Sequence, residues 1–140
     1  MNKTEKAVSF FRNGYSCSQS VLLACAGESG EKARASAAFG GGMGRLQKTC
    51  GAVTGAYLWF GFAYGAPGLP TEDEKTALYG RVKEFNRMFT ERNGTDLCSE
   101  LLGEDLNTPE GKENIARLGL SRSVCEKCIR DAIEIIETLE

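Results

Sequence analysis

FGGGMGRLQKTCGAVTGAYLWFGFAYG, running from Phe39 to Gly65, is the stretch on which the reading of the fold turns. It opens with Gly40, Gly41, Gly42 and Gly44, passes a short basic segment holding Arg45 and Lys48, and reaches Cys50. From there to Pro67 no charged residue occurs. Gly51 and Gly55 are four apart, as are Ala52 and Ala56, and residues at that spacing share one face of a helix. Thr49 to about Ala63 therefore reads as a central helix with Thr49 as N-cap and a small-residue face that neighbours approach closely. On this reading Cys50 sits in its first turn.

Outward from that helix the chain reads as further helices. Ala7, Val8 and Phe11 have amphipathic spacing within Lys3–Asn13. Ser16 caps a helix to about Ala26, with Cys17 in its first turn and Cys25 in its last. Gly27 and Gly30 break the chain, and Glu31–Ala38 is a third helix stopped by the glycines. Beyond the Ala66–Pro70 turn, Thr71 and Glu74 form a capping box for a long helix from about Glu72 to Arg92. Its stripe is Leu78, Val82, Phe85 and Phe89, and Asn93-Gly94 ends it. Thr95 or Asp96 caps a short helix with Cys98 in its first turn. Thr108-Pro109-Glu110 starts another. Ser121 or Ser123 starts the last, with Cys125, Cys128, Ala132, Ile136 and Leu139 on one stripe. No alternating strand pattern or internal repeat is found. The expectation is one all-α domain over residues 1–140, about seven helices around the Gly/Ala-rich one.

Composition narrows the function. The 140 residues are 41% hydrophobic and 26% charged, with a net charge of −2 and no basic stripe, so neither nucleic acid nor an anionic membrane is an expected partner. The uncharged run is too short and glycine-rich for a membrane span. MNKTEKAVSFFRNG lacks an apolar signal-peptide core and carries Glu5 and Arg12, which makes the cytoplasm the expected location. There is no histidine, so imidazole general-base and ligand chemistry is excluded. Six cysteines in such a chain argue for metal binding or redox chemistry rather than a static disulfide frame.

Cys17, Cys50, Cys98 and one of Cys125 and Cys128 all fall near helix starts, where the backbone favours the thiolate. That effect is under about one pKa unit, so a reactive thiol needs further help. Arg45, Lys48, Arg122 and Lys127 are the cations nearby in sequence. Cys125-Glu126-Lys127-Cys128 is the single C-x-x-C, and on a helix its sulfurs share a face. Cys25, on an apolar face without a cation, reads as core. Lys48-Thr49 follows Gln47 rather than glycine, so the glycine cluster is not a phosphate loop. Tyr57, Trp59, Phe60, Phe62 and Tyr64 read as core, and no acidic pair suggests carboxylate catalysis.

Cys50-Gly51-Ala52-Val53-Thr54-Gly55 resembles the CGAxxG signature of the C_GCAxxG_C_C family of redox-active proteins. Tyr15–Ser20, Gly41–Arg45, Asp96–Leu102 and the C-terminal cysteine helix resemble its other landmarks in order. The resemblance implies four characteristic cysteines: Cys17, Cys50, Cys98 and Cys128, with Cys125 as an extra or a substitute for the fourth. It also implies a redox partner, in a transporter-linked system, and distantly resembles part of the split-Soret cytochromes. Three readings follow. The first is a thiol redox protein in which Cys50, preceded by Arg45 and Lys48, attacks and pairs with one of the other three. The second is a metal protein with the same cysteines on zinc or an iron–sulfur cluster. The third is a helical interaction module with packing cysteines.

Overall fold

Short polar side chains open most of the helices. The computed structural model describes residues 1–140. Asn2 and Glu5 form a capping box for α1 (Lys3–Arg12), and Ser16 and Gln19 form another for α2 (Cys17–Ala26). Ser29 caps α3 (Gly30–Ala37). The central helix α4 is Gly51–Tyr64, and the Thr71–Glu74 box opens α5 (Glu72–Asn93). A short α6 (Cys98–Leu102) follows. Then comes α7 (Pro109–Leu118), with Thr108 as cap and proline at its start. A π-helical turn, Ser121–Cys125, leads into α8 (Glu126–Leu139). The fold is all-α, with eight helices where about seven were expected. No helix is long and apolar enough to cross a membrane.

The core forms around α4, whose first six residues are all buried. α2 lies along the Gly51/Gly55 face. An added Cβ at Gly55 would come within 2.7 Å of the Ser18 carbonyl, so only glycine permits this helix approach. α8 packs Ile129, Ala132, Ile133 and Ile136 into the same core. α5 contributes Phe85, edge-on to Tyr57 and Phe60 at 5.8 Å and stacked with Phe89 at 6.0 Å.

Four local expectations are corrected. Neither Thr95 nor Asp96 caps α6, whose N-cap is Leu97 with no side-chain cap bond. Thr49 is not the N-cap of α4. Thr49 bridges antiparallel to Leu97, the Cys50 amide donates to the Asp96 carbonyl at 2.7 Å, and Cys50 itself is the N-cap. That non-local pairing outweighs the local cap. The last helix starts at Glu126 rather than at Ser121 or Ser123, because residues 121–125 wind as a π turn. Of the five aromatics on α4, Phe62 is 54% and Tyr64 39% exposed, because the second half of the helix extends past its neighbours.

The glycine cluster makes a rarer structure than a simple stop. Gly41, Gly42, Met43, Gly44 and Arg45 are consecutively left-handed, with φ of 67°, 70°, 66°, 62° and 62°, and Gln47 joins them at 57°. The turn is closed by Arg45 N–H to the Gly40 carbonyl at 3.1 Å and Lys48 N–H to the Gly42 carbonyl at 3.0 Å. Each non-glycine residue held there costs about 1–2 kcal/mol. Gly42 has no alternative, since a Cβ would lie 2.6 Å from Cys98 Cβ and 2.8 Å from the Lys48 nitrogen.

Candidate functional site

Four helix starts converge on one cavity. Cys17 is the first residue of α2, Cys50 the N-cap of α4, Cys98 the first residue of α6, and Cys125 and Cys128 flank the start of α8. All five line a cavity of about 520 Å3. Cys25 lies at the far end of α2, outside it, near Lys3, Glu137 and Glu140. All six thiols are free.

The arrangement is held by backbone bonds between segments far apart in sequence. Cys98 N–H donates to the Lys48 carbonyl at 2.7 Å and Ser99 N–H to the Gln47 carbonyl at 3.2 Å, so the loop before α4 and the start of α6 form one strap. Asn86 Nδ2 donates to Asp96 Oδ2 at 2.7 Å and to Tyr57 Oη at 3.0 Å, fixing the strap to α5 and α4. Gln47 Nε2 donates to the Glu104 carbonyl at 2.8 Å, and its Oε1 accepts from Leu106 N–H at 3.0 Å. At the other wall, Gln19 Nε2 donates to the Ala33 carbonyl at 3.0 Å while Oε1 accepts from Ser16 N–H at 3.0 Å.

Cys50 is the hub of the cluster. Its pKa is raised well above the ordinary 9.0, first by the neighbouring Cys128 thiol and then by burial. Cys17 is pushed up to about 11, by burial first and Cys50 second. Cys98 reaches about 12 through burial, then Cys50, then Cys17. Cys125 also reaches about 12, through burial and then Cys17, Cys50 and Cys98. Backbone amides do favour the thiolates, as Ala52 and Val53 do at Cys50, but burial outweighs them. Neither Arg45 nor Lys48, the cations expected to activate Cys50, is among the main causes of its shift. Lys127 turns away to Asn93 Oδ1 at 2.9 Å and Asp131 Oδ2 at 2.7 Å.

The sulfurs share a cavity without converging on a point. No three Cys, Asp or Glu side chains are close enough together to hold a metal ion, so the donor set as it stands does not fit zinc or an iron–sulfur cluster. What the arrangement can do is join sulfurs in pairs, and Cys128 is the neighbour that perturbs Cys50 most.

Two features were missed from sequence. Glu126, inside the C-x-x-C, is only 5% exposed, and both its oxygens accept from Arg12, at 2.9 and 3.1 Å. Its pKa is lowered, first by that hydrogen bonding and then by the nearby arginine charges. An acid at the first position of a helix was the available signal. The left-handed run through Met43, Arg45 and Gln47 carried none, because non-glycine residues do not announce positive φ.

Residues 15–139 match the model of a family described as "Putative redox-active protein (C_GCAxxG_C_C)". No curated protein and no solved structure matches the chain.

Proposed function

Since the chain belongs to the C_GCAxxG_C_C family, we propose that it is a thiol–disulfide redox protein in which Cys50 and Cys128 close a reversible disulfide. The observation that carries this reading is that Cys50 and Cys128 line one cavity and pack in one core cluster, with three more cysteines around the same cavity. Closing the bond releases two electrons and two protons from the pair to an oxidised acceptor of the disulfide class. Cys50 is the attacking sulfur on this reading, because Cys17, Cys98 and Cys125 are all near enough to feel its charge and so to receive the bond. On this reading Cys17, Cys98 and Cys125, which line the same cavity, resolve or relay the bond. A reducing compartment such as the cytoplasm suits a protein with six free thiols.

The test is thiol counting before and after mild oxidation, with peptide mapping of the product. Loss of two thiols with a Cys50–Cys128 linked peptide is the expected result, abolished in Cys50→Ser and in Cys128→Ser and unchanged in Cys25→Ser. A disulfide that still forms to the same extent in Cys50→Ser overturns the reading.

A further inference from the structure

Arg45 is the one charged residue lining the cavity; no carboxylate lines it. Its guanidinium makes no ion pair and no hydrogen bond within the chain, unlike those of Arg12, Arg81, Arg87, Arg92 and Arg117; Arg34, Arg122 and Arg130 are likewise unpaired but do not line the cavity. Its backbone is nonetheless held left-handed at φ 62°, with its N–H bonded to the Gly40 carbonyl and its carbonyl accepting from Asn107 Nδ2 at 2.8 Å. Gln47, strained in the same turn, uses its side chain to tie the strap to Glu104 and Leu106. The Arg45 side chain has no such intramolecular use. A cation stands unpartnered at the rim of a sulfur-lined, mainly apolar cavity.

The depth of the sulfurs limits what reaches them. Cys50 is 7%, Cys98 8% and Cys128 2% exposed, so a disulfide on the surface of another protein cannot approach them without unfolding one partner. A small molecule can, and about 520 Å3 is within the range of cavities that enclose one.

We infer that, on the redox reading above, the cavity takes a low-molecular-weight disulfide carrying a carboxylate, whose carboxylate is bound by Arg45 while its sulfurs face Cys50. Guanidinium and carboxylate match in charge and in bidentate geometry. The deprotonated Cys50 sulfur attacks one sulfur of the ligand. The ligand S–S bond breaks, a mixed disulfide forms on Cys50, and the departing thiolate takes up the proton Cys50 released. Cys128 then attacks Cys50 of the mixed disulfide, its proton going to the second departing thiol. Two protein thiols are oxidised and one small disulfide is reduced to two thiols.

The experiment compares two probes of similar length, dithiodiglycolate and the uncharged bis(2-hydroxyethyl) disulfide, with diamide as an oxidant that needs no disulfide ligand. Formation of the Cys50–Cys128 bond is followed in the wild type, Arg45→Gln, Arg45→Lys and Lys48→Gln, Lys48 being exposed and outside the cavity lining. The rate ratio of charged to uncharged probe is expected to fall about five-fold in Arg45→Gln, the upper end for an exposed ion pair. Arg45→Lys retains part of it, and Lys48→Gln changes it less than about two-fold. An unchanged ratio in Arg45→Gln overturns the inference, as does equal slowing with both probes. If diamide forms the bond and neither disulfide does, this inference falls and the redox pair stands. If no oxidant links Cys50 to Cys128, both fall.

Discussion

Gly51 and Cys17 lie so close that a methyl group at position 51 would overlap the Cys17 sulfur. The same methyl would sit 3.1 Å from the Ser18 nitrogen and 3.2 Å from the Phe39 carbonyl, so relief by a rotamer change is not available. The first residue of α4 thus sets how deep the first residue of α2 places its thiol.

Gly51→Ala and Gly55→Ala are therefore expected to destabilise the fold by about 1–3 kcal/mol, the cost of overpacking, despite the better helix propensity of alanine. Gly80 is the matched control, mid-helix in α5, where an added methyl would meet nothing within 4 Å. Gly80→Ala is expected to stabilise by about 0.5–1 kcal/mol. Urea denaturation reads all three. Gly51→Ala further speeds alkylation of Cys17 by displacing its sulfur. Equal stability changes at 51 and 80 would show that the α2–α4 approach is looser than described.

The left-handed turn has its own signature. Arg45→Gly removes a strained non-glycine residue at φ 62° without losing an intramolecular side-chain bond, and is expected to stabilise by up to about 1 kcal/mol. Gln47→Gly relieves similar strain but loses two hydrogen bonds, to Glu104 and Leu106, and is expected to be neutral or destabilising by about 1 kcal/mol. Thermal or chemical unfolding of the two variants side by side checks the contrast. Destabilisation by Arg45→Gly beyond about 1 kcal/mol would mean that its side chain supports the fold.

Much of this was visible in the residues. The Gly51/Gly55 spacing announced a close helix approach, and the capping residues Ser16, Thr71 and Thr108 marked three helix starts correctly. Such signals are local, lying within one turn of the residue they act on. The bridge from Thr49 to Leu97 is not local, and it moved the start of α4 by recruiting a backbone 48 residues away, the difference between 97 and 49. The burial of the thiols is likewise a property of four converging helices, so the first-turn position of a cysteine indicated the direction of one influence and not its outcome. Glu126 carried no reading of its own in the sequence, because its partner Arg12, at the end of α1, is 114 residues away.

That pair gives a pH test at the acid end. The Glu126 carboxyl is held below its ordinary 4.5, so its contribution to stability is present above that value and is lost as pH falls through the lowered folded pKa. In Arg12→Met the carboxylate keeps its burial and loses its main partner, with only the more distant Arg122 and Arg130 charges left to lower its pKa: the variant is less stable than the wild type at pH 7 and the gap closes as pH falls toward 4. Denaturation midpoints between pH 7 and pH 3 measure this. A gap independent of pH would show that Arg12 acts by packing alone.

The thiols give the opposite test at the alkaline end. With Cys17 raised from 9.0 to about 11 and Cys25, Cys98 and Cys125 to about 12, folded and unfolded chains both hold these protons below pH 9. Above pH 9 the unfolded chain releases them and the folded chain does not, so stability falls through the window from about 9 to about 12, by on the order of 1.4 kcal/mol per thiol per pH unit. Cys25→Ser, outside the cavity, is expected to reduce that slope by one thiol's share and leave oxidation of the pair intact. The same raised pKa governs reactivity: only the thiolate attacks, so the oxidation rate rises about ten-fold per pH unit from 7 to 9 with no plateau. An ordinary cysteine levels off near its pKa of about 8.5. Rates of disulfide formation measured by stopped-flow thiol trapping across that range decide the matter, and a plateau by pH 8 would mean that an activated thiolate already stands in the cavity.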